Sequence, residues 1–214
     1  MQIDPYAIRS IVFDLDGTLY NNADVAREIE TAAWAVVARS RGLSLNEGRT
    51  LVSNARRRLA ESLDEEPTLT LTCQELGIPI AELHQAFVAE VHPERYLEYD
   101  PILYALLDSL RDGCELYLYT NNNLIQTRRI LALLGVEDLF SGLYTIEYSW
   151  RPKPDSDTLR QLLADISGPP ESFLFVGDRF SVDLGEPARM GIPTLLVSEI
   201  ADILQVHRLL GLIP

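Results

Sequence analysis

The sequence predicts an α/β fold in which a parallel, doubly wound sheet carries an inserted, all-helical domain. Five short apolar runs rich in β-branched and aromatic residues are spread along the chain, and they predict buried strands. Helical patterns lie between several of these runs, and this alternation is typical of a parallel sheet. A long interval near the N-terminus contains helical patterns without a convincing strand, which predicts the insertion.

The predicted strands are apolar on both faces, as expected for parallel strands that helices cover on each side. They span residues 11–13, 116–119, 143–146, 173–176 and 194–197. A helix is predicted after Asp100 and Pro101, because aspartate often caps a helix and proline is favoured at its first position. Asp155 marks the start of another helix, and leucines follow both starts at helical spacing.

The inserted domain divides the predicted core into two pieces. Residues 1–19 and 98–214 are assigned to the α/β core, and residues 20–97 to the helical domain. Between Ile29 and Val37, apolar residues recur at the spacing of one helix face. A chain of 214 residues is long enough for both a core and a smaller second domain.

Composition and charge exclude several classes of function. The formal net charge is −14 and no basic stripe could displace counterions from a nucleic acid, so a nucleic acid polymer is not expected as a partner. No apolar run is long enough to span a membrane, and residues 1–10 lack the apolar stretch of an export signal, so we expect a cytoplasmic protein. Cys73 and Cys114 have no metal-ligand spacing and are expected to be reduced, buried thiols.

Polar residues follow four of the predicted strands, near the point where each strand ends. They are Asp14 and Asp16 after the first strand, Thr120 and Asn121 after the second, Lys153 a few residues after the third, and Asp178 and Asp183 after the fourth. Because ligands of open α/β sheets bind beyond the carboxyl ends of the strands, these residues are expected to converge on one site. Two carboxylates so close in sequence need a cation to offset their repulsion, and ligand candidates that are all oxygens favour Mg²⁺.

The same residues resemble the four signatures of the haloacid dehalogenase superfamily, which occur here in order and span nearly the whole chain. The signatures are residues 13–19 (FDLDGTL), Thr120 after an apolar strand, Lys153, and residues 177–178 followed by Asp183. The helical insertion directly after the first signature is similar to the helical cap of one class of this superfamily. The resemblance implies a Rossmann-like catalytic core with a cap that closes over small substrates.

The resemblance also implies a role for each site residue. Asp14 is the expected nucleophile, Asp16 the general acid and base, and Thr120 and Lys153 the ligands of phosphate. The expected ligands of Mg²⁺ are Asp14, the backbone carbonyl of Asp16, Asp178 and Asp183. Asn121, Asn122 and Asn123 are candidates for further hydrogen bonds to the phosphate or the substrate, with Asn121 assigned to the substrate site, although a turn would explain asparagines here equally well.

Asp16 favours phosphate chemistry over dehalogenation. By the resemblance, true haloacid dehalogenases lack a carboxylate at the matching position, because their reaction needs no proton donor for an alkoxide. The expected function is therefore a phosphatase that acts on a small phosphorylated metabolite, such as a nucleotide monophosphate or a sugar phosphate. A sugar-phosphate mutase that uses the same pair of aspartates and a catalytically silent binding or regulatory module are the alternatives. The sequence leaves the substrate open, as well as the choice between a monomer and a homodimer.

Residues outside the signatures carry weaker expectations. Tyr20, Asn21 and Asn22 follow the first signature where the superfamily has a flexible flap, and one of them is expected to touch the substrate. Three consecutive arginines at positions 56–58 point in different directions if they lie on a helix, so a solvated face is favoured over a substrate contact.

Overall fold

The computed structural model describes Asp4 and residues 6–213, and the chain divides into two compact units. The first, called the core unit, consists of Met1–Asn21 and Leu97–Pro214, and the second, called the helical unit, is Asn22–Tyr96. These boundaries differ by one or two residues from the predicted ones. Tyr20 belongs to the core unit, where its carbonyl accepts a hydrogen bond from the backbone N–H of Gly17 at 2.9 Å. The role of the helical unit as a cap stays a prediction.

The core unit is built on a parallel sheet. Its strands are β1 (Ser10–Phe13), β2 (Glu115–Tyr119), β3 (Gly142–Tyr144), β4 (Phe173–Gly177) and β5 (Thr194–Leu196). Over the described residues the strand order is β3-β2-β1-β4-β5, and β1 pairs in parallel with both β2 and β4. The direction of winding reverses at β1, which opens a crevice beyond the carboxyl ends of β1 and β4. The predicted doubly wound α/β sheet is confirmed.

Helices make up most of the remaining chain. The helical unit contains α1 (Ala23–Arg41), α2 (Leu45–Leu63), α3 (Leu69–Glu75) and α4 (Ile80–Glu90), and the core unit contains α5 (Pro101–Leu110), α6 (Leu124–Leu134), α7 (Ser156–Ile166), α8 (Gly185–Arg189) and α9 (Leu204–Leu209). α5 and α7 begin where predicted, because the side chains of Asp100 and Asp155 accept hydrogen bonds from N–H groups of the first turn. Across the part of the chain that is described, none of the helices combines the length and apolar character needed to cross a bilayer.

Two expectations about the strands are wrong in detail. The third strand ends at Tyr144 rather than at residue 146, because Ile146–Tyr148 forms a 3₁₀ turn. β3 and β5 are only partly buried, whereas β1 and β4 are buried along their whole length. Among the strands formed by the described residues, β3 and β5 are the two edge strands, and one flank of each has no neighbouring strand.

Apolar side chains from alternate strand positions pack on both faces of the sheet. On one face, Val12 of β1 and Phe175 of β4 belong to the same buried cluster as Leu159 of α7. Ile11 and Phe13 alternate with Val12 and therefore point to the opposite face, where they are fully buried. Apolar side chains cover both faces of β1, so a site that uses polar residues of this segment lies beyond the end of the strand and not on a face of the sheet.

The helical unit buries the apolar stripe that the sequence predicted for α1. Ala32, Ala33, Val36 and Val37 of this stripe are buried, whereas Ile29 is only partly buried, and Val25 is buried one turn before the predicted stripe. In α2, Arg57 and Arg58 are exposed, as expected for a solvated face. Arg56 differs, because it is half-buried and donates to the carboxylate of Glu30 in α1 at 3.0 Å. This ion pair joins the two longest helices of the unit.

Both cysteines are free and buried, as predicted. Burial raises the pKa of Cys73 to about 12, and it also raises the pKa of Cys114 above its ordinary value. The two thiols are therefore protonated at neutral pH, which makes them poor nucleophiles.

Leu116→Ala should destabilise the protein far more than Leu196→Ala. Leu116 in β2 is 0% exposed, so its truncation leaves a cavity, and we expect the free energy of unfolding to fall by about 2–5 kcal/mol. Leu196 in β5 is 51% exposed, and the same truncation there should lower the free energy of unfolding by less than about 1 kcal/mol. Urea unfolding followed by circular dichroism measures both variants. Equal losses would contradict the partial burial of the edge strand.

Candidate active site

The candidate site lies at the carboxyl edge of the sheet, within the core unit. Asp14 follows β1, and its backbone N–H donates to the carbonyl of Val176 in β4 at 2.9 Å. Thr120 follows β2, and its N–H donates to the carbonyl of Tyr144 in β3 at 2.9 Å. These bonds extend the hydrogen bonding of the sheet by one residue beyond each strand. The sheet therefore fixes the backbone at both residues.

Lys153 lies at the centre of this site with its ammonium group buried. Its Nζ donates to Oδ1 of Asp14 at 2.6 Å, to Oδ1 of Asp183 at 2.7 Å, and to the carbonyl of Tyr119 at 2.8 Å. Burial by itself would lower the pKa of Lys153, but the two carboxylates raise it above its ordinary value. The lysine therefore stays positively charged, and each of its three N–H donors has an acceptor.

Lys153 is also the only lysine in the sequence, although lysine and arginine together number 18. The other 17 of these residues are arginines. An ammonium group is compact and donates in three directions, whereas the guanidinium group of arginine is a planar fork. The three acceptors around Nζ require the first geometry. This signal is present in the composition alone and singles out position 153.

Three carboxylates beside Lys153 form a cluster that suits a metal ion. One oxygen from each of Asp14, Asp178 and Asp183 lies within 4.8 Å of the other two. Burial raises the pKa of Asp14 to about 7, although Lys153 opposes the rise, and Asp183 adds to it. Burial and the charge of Asp183 raise the pKa of Asp178 to about 6. Three carboxyl groups therefore lie beside a single ammonium group, and a further cation would offset the repulsion between them. Their oxygen atoms are ligands that suit a hard divalent ion such as Mg²⁺. Metal binding by the carbonyl of Asp16 stays a prediction.

Two glycines let the backbone approach these aspartates closely. Gly17 has a φ of +91°, which favours glycine, and a Cβ atom there would overlap the carboxylate of Asp178. A Cβ atom at Gly177 would lie 2.5 Å from the Cβ of Asp183, closer than two carbon atoms can pack. Both positions therefore need glycine because of the side chains beside them, a reason that the sequence does not reveal.

Asp183 is positioned by a single turn of π-helix, Phe180–Leu184, a rare conformation that often occurs at functional sites. Its Oδ2 accepts the backbone N–H of Arg179 at 3.0 Å, which leaves Oδ1 for Lys153.

The positive charge of the half-buried Arg179 influences the pKa values of two aspartates in the site. Burial is the main influence on the pKa values of Asp16 and Asp178, and the positive charge of Arg179 opposes the rise that burial causes. Sequence reasoning missed this arginine.

Asp16 is held by two hydrogen-bond donors. The hydroxyl of Tyr20 donates to its Oδ1, and Nδ2 of Asn122 donates to Oδ2 at 3.2 Å and to Oδ1 at 3.4 Å. Burial raises the pKa of Asp16, although both hydrogen bonds oppose the rise. Asp16 therefore keeps its proton to a higher pH than an ordinary aspartic acid, which suits a group that exchanges protons. Burial and the charge of Asp16 raise the pKa of Tyr20, so its hydroxyl remains a donor.

Asn121 and Asn122 are adjacent in sequence but hold different segments. Asn121 accepts the backbone N–H of Lys153 through Oδ1 at 2.6 Å and donates to the Lys153 carbonyl at 3.4 Å. Its side chain therefore fixes the lysine backbone, and its contact with a substrate stays a prediction. Asn122 faces Asp16 instead, and its backbone N–H donates to Oγ1 of Thr120 at 3.0 Å. The sequence named Asn122 only as one of three candidate asparagines, because a run of asparagines gives no sign of which member faces Asp16.

Two of the three flap residues named from the sequence, Tyr20 and Asn22, have hydrogen-bond partners inside the protein. The hydroxyl of Tyr20 donates to Asp16, and the side chain of Asn22 caps α1 by accepting two N–H groups of its first turn. A contact between either residue and the substrate stays a prediction.

The chain is similar to known proteins over most of its length. Residues 8–191 match the haloacid dehalogenase-like hydrolase family. The chain belongs to this family. The match covers most of the chain, so the resemblance drawn from the four signatures and the hydrolase class that it implied are confirmed.

Individual relatives in this family are similar to the chain at low identity. Phosphoglycolate phosphatase of Cereibacter sphaeroides is 29% identical over 208 residues, which cover 93% of this chain and 89% of that protein. Pyrophosphatase PpaX of Bacillus velezensis is 29% identical over 99 residues, which cover 46% of this chain and only 45% of that protein. The crystal structure of a HAD phosphatase from Thermococcus onnurineus superposes with a TM-score of 0.62 at 20% identity, covering 95% of this chain and 98% of the other. Likeness at that identity shows the fold alone.

Lys153→Met should strongly destabilise the metal-free protein, because it leaves Asp14 and Asp183 buried without their cation. We expect the free energy of unfolding to fall by about 3–5 kcal/mol at pH 8. Folding raises the pKa of Asp14 to about 7, so this group is protonated in the folded protein at pH 5 and ionises as the pH rises through 7. Ionisation of a buried carboxyl group with a raised pKa lowers the free energy of unfolding. The loss should therefore be smaller at pH 5, where Asp14 carries a proton. Urea unfolding in EDTA at both pH values measures it.

Arg160→Met is the matched control for this substitution. Arg160 forms an exposed ion pair with Asp157 at 2.8 Å, and its removal should lower the free energy of unfolding by less than about 1 kcal/mol. A loss for Lys153→Met no larger than that of the control would contradict the central position of the lysine.

Proposed function

We propose that the protein is a Mg²⁺-dependent phosphatase that hydrolyses a small phosphomonoester through an aspartyl phosphate on Asp14. The proposal is supported above all by the contrast between two neighbouring aspartates. Asp14 is paired with the ammonium group of Lys153, whereas Asp16 is bonded to Tyr20 and Asn122. Carboxyl groups in such different surroundings are suited to different tasks, one to nucleophilic attack and the other to proton transfer.

In the first half-reaction, a carboxylate oxygen of Asp14 would attack phosphorus, and the bond between phosphorus and the leaving oxygen would break. Lys153 would offset negative charge on the phosphoryl oxygens, with further hydrogen bonds proposed from Thr120 and Asn121. Asp16 would give its proton to the departing alkoxide, which leaves as an alcohol. A bound Mg²⁺ would supply additional positive charge. The residues that would hold it are Asp14, Asp178 and Asp183, together with the carbonyl of Asp16.

In the second half-reaction, water would attack the phosphorus atom of the aspartyl phosphate. Asp16, now a carboxylate, would take a proton from this water as the new bond forms. The bond between phosphorus and Asp14 would then break, which releases inorganic phosphate and restores the Asp14 carboxylate. Asp16 ends the cycle protonated, as it began. The nucleophile thus divides one slow hydrolysis into two faster steps.

The relatives favour a small phosphorylated substrate. One is by name a phosphoglycolate phosphatase and another a pyrophosphatase. We propose the same broad class of substrate here, with nucleotide monophosphates, sugar phosphates and phosphoglycolate as the first compounds to assay. We also propose that the helical unit is the cap that selects among them, in the way the family resemblance implies.

Phosphate release should require Mg²⁺. We expect the purified protein to release phosphate from at least one compound of this panel when Mg²⁺ is present, and to lose the activity to background in EDTA. Ca²⁺ should support the reaction poorly, because its larger and looser coordination would misplace Asp14. Full turnover in EDTA would contradict the metal assignment. Isomerisation of a sugar phosphate that outpaces phosphate release would favour a mutase, and failure with every compound would favour a silent module.

Asp16→Asn should slow the first half-reaction much more for an alkyl phosphate than for p-nitrophenyl phosphate. An alkoxide departs poorly without a proton, whereas nitrophenolate is a weak base and needs little help. We expect a loss of about 10²- to 10⁴-fold for the alkyl substrate in single-turnover measurements. With the nitrophenyl substrate, a burst of about one nitrophenolate per enzyme should precede a slow steady state, because the amide cannot accept a proton from water.

Asp14→Asn is the companion variant, and it should show neither burst nor turnover, since an amide is a poor nucleophile. Equal slowing of both substrates by Asp16→Asn, without a burst, would mean that Asp16 is not the acid.

A further inference from the structure

The hydroxyl of Tyr20 donates a hydrogen bond to the very carboxyl group that the proposed reaction needs as its acid. We propose that Tyr20 is a positioning residue, whose bond to Oδ1 of Asp16 directs the other oxygen, Oδ2, to carry the transferred proton. This inference rests on the proposed phosphatase function and extends it to a residue outside the four signatures. In this role Tyr20 acts through Asp16 and needs no contact with the substrate.

Tyr20 is anchored on the same short loop as the group it holds. Tyr20 is only 4% exposed, so little of the residue is open to water. The Gly17 N–H donates to the Tyr20 carbonyl at 2.9 Å, which closes the loop between the two residues. The loop is thus held by one hydrogen bond between backbone groups and one between the side chains of Tyr20 and Asp16. Leaving a buried hydroxyl without a hydrogen-bond acceptor costs free energy, so the orientation of the Asp16 carboxyl group that keeps this bond is favoured.

A second donor reaches Asp16 from the end of another strand. Asn122 lies beyond β2, and its Nδ2 donates to Oδ2 of Asp16 at 3.2 Å and to Oδ1 at 3.4 Å. The amide orientation of Asn122 is fixed in turn, because its Oδ1 accepts the backbone N–H of Asn123 at 2.9 Å. Tyr20 donates to Oδ1 alone, so the two donors distinguish the two oxygens of the carboxyl group. With Tyr20 in place, Oδ1 accepts two hydrogen bonds and Oδ2 accepts one, which leaves Oδ2 the better placed of the two oxygens to carry a proton.

Loss of this bond should affect proton transfer and leave substrate binding nearly unchanged. A carboxyl group free to rotate spends less time in the productive orientation, and misplacement of a reacting group by about 1 Å can cost about a hundredfold in rate. For Tyr20→Phe we expect the single-turnover rate with an alkyl phosphate to fall about ten- to a hundredfold. The rate with p-nitrophenyl phosphate should change little, since that leaving group needs little help from an acid. KM should be nearly unaltered.

The test compares Tyr20→Phe with wild-type protein and with Tyr104→Phe, a matched loss of a hydroxyl from an exposed tyrosine of α5. Single-turnover rates are measured with both substrates, and thermal melting reports folding. Asn122→Ala removes the other donor and should likewise slow the reaction of the alkyl phosphate more than that of p-nitrophenyl phosphate. The inference can therefore be judged even if one variant folds poorly. Equal slowing of both substrates by Tyr20→Phe, or no slowing at all, would overturn the inference.

A double-mutant cycle separates positioning from a general structural effect. If Tyr20 acts through Asp16, adding Tyr20→Phe to Asp16→Asn should change the single-turnover rate less than about twofold. Multiplicative losses in the double variant would overturn the inference. The proposed function fails separately: wild-type protein that releases no phosphate from any compound would overturn it, whereas active wild-type protein with a silent Tyr20→Phe substitution would overturn the inference alone.

Discussion

The arrangement of the site depends on one buried ammonium group, that of Lys153. It bonds to one oxygen of Asp14 and one of Asp183 at 2.6 and 2.7 Å, and both carboxylates are themselves buried. Without a cation between them, desolvation and mutual repulsion would drive one of these carboxyl groups to take up a proton. Removing three charges from water is unfavourable, and such clusters contribute little to net stability. The chemistry of the site therefore explains the cluster better than the stability of the fold does.

Parallel strands make this arrangement possible, because they bring residues that are distant in the chain to one edge. Lys153 and Asp14 are separated by 139 positions in sequence, yet their side chains share a hydrogen bond. Two other strands contribute at the same edge: the Tyr119 carbonyl at the end of β2 accepts a hydrogen bond from Nζ, and the turn after β4 carries Asp183. Glycine at position 177 provides the space that this turn requires.

The loop after β1 places two carboxylates two residues apart and gives them different partners. Asp14 faces the lysine and the other acids, while Asp16 receives hydrogen bonds from a phenol and an amide. Burial raises the pKa of both groups. Charge at Asp14 is offset by Lys153, and charge at Asp16 is offset chiefly by neutral donors. The proposed two-step phosphoryl transfer would use this difference, with Asp14 as the nucleophile and Asp16 as the acid.

The sequence by itself determined the α/β class, the starts of α5 and α7, and the polar residues that end the strands. These features follow from periodicity and capping, which act among near neighbours in the chain. Only the tertiary structure decided that Asn122 rather than Asn121 faces Asp16, that the Tyr20 hydroxyl points to the same group, and that β3 and β5 lie at the sheet edges. Each of these outcomes depends on how distant or identical residues pack together, and local sequence patterns carry no information about such packing.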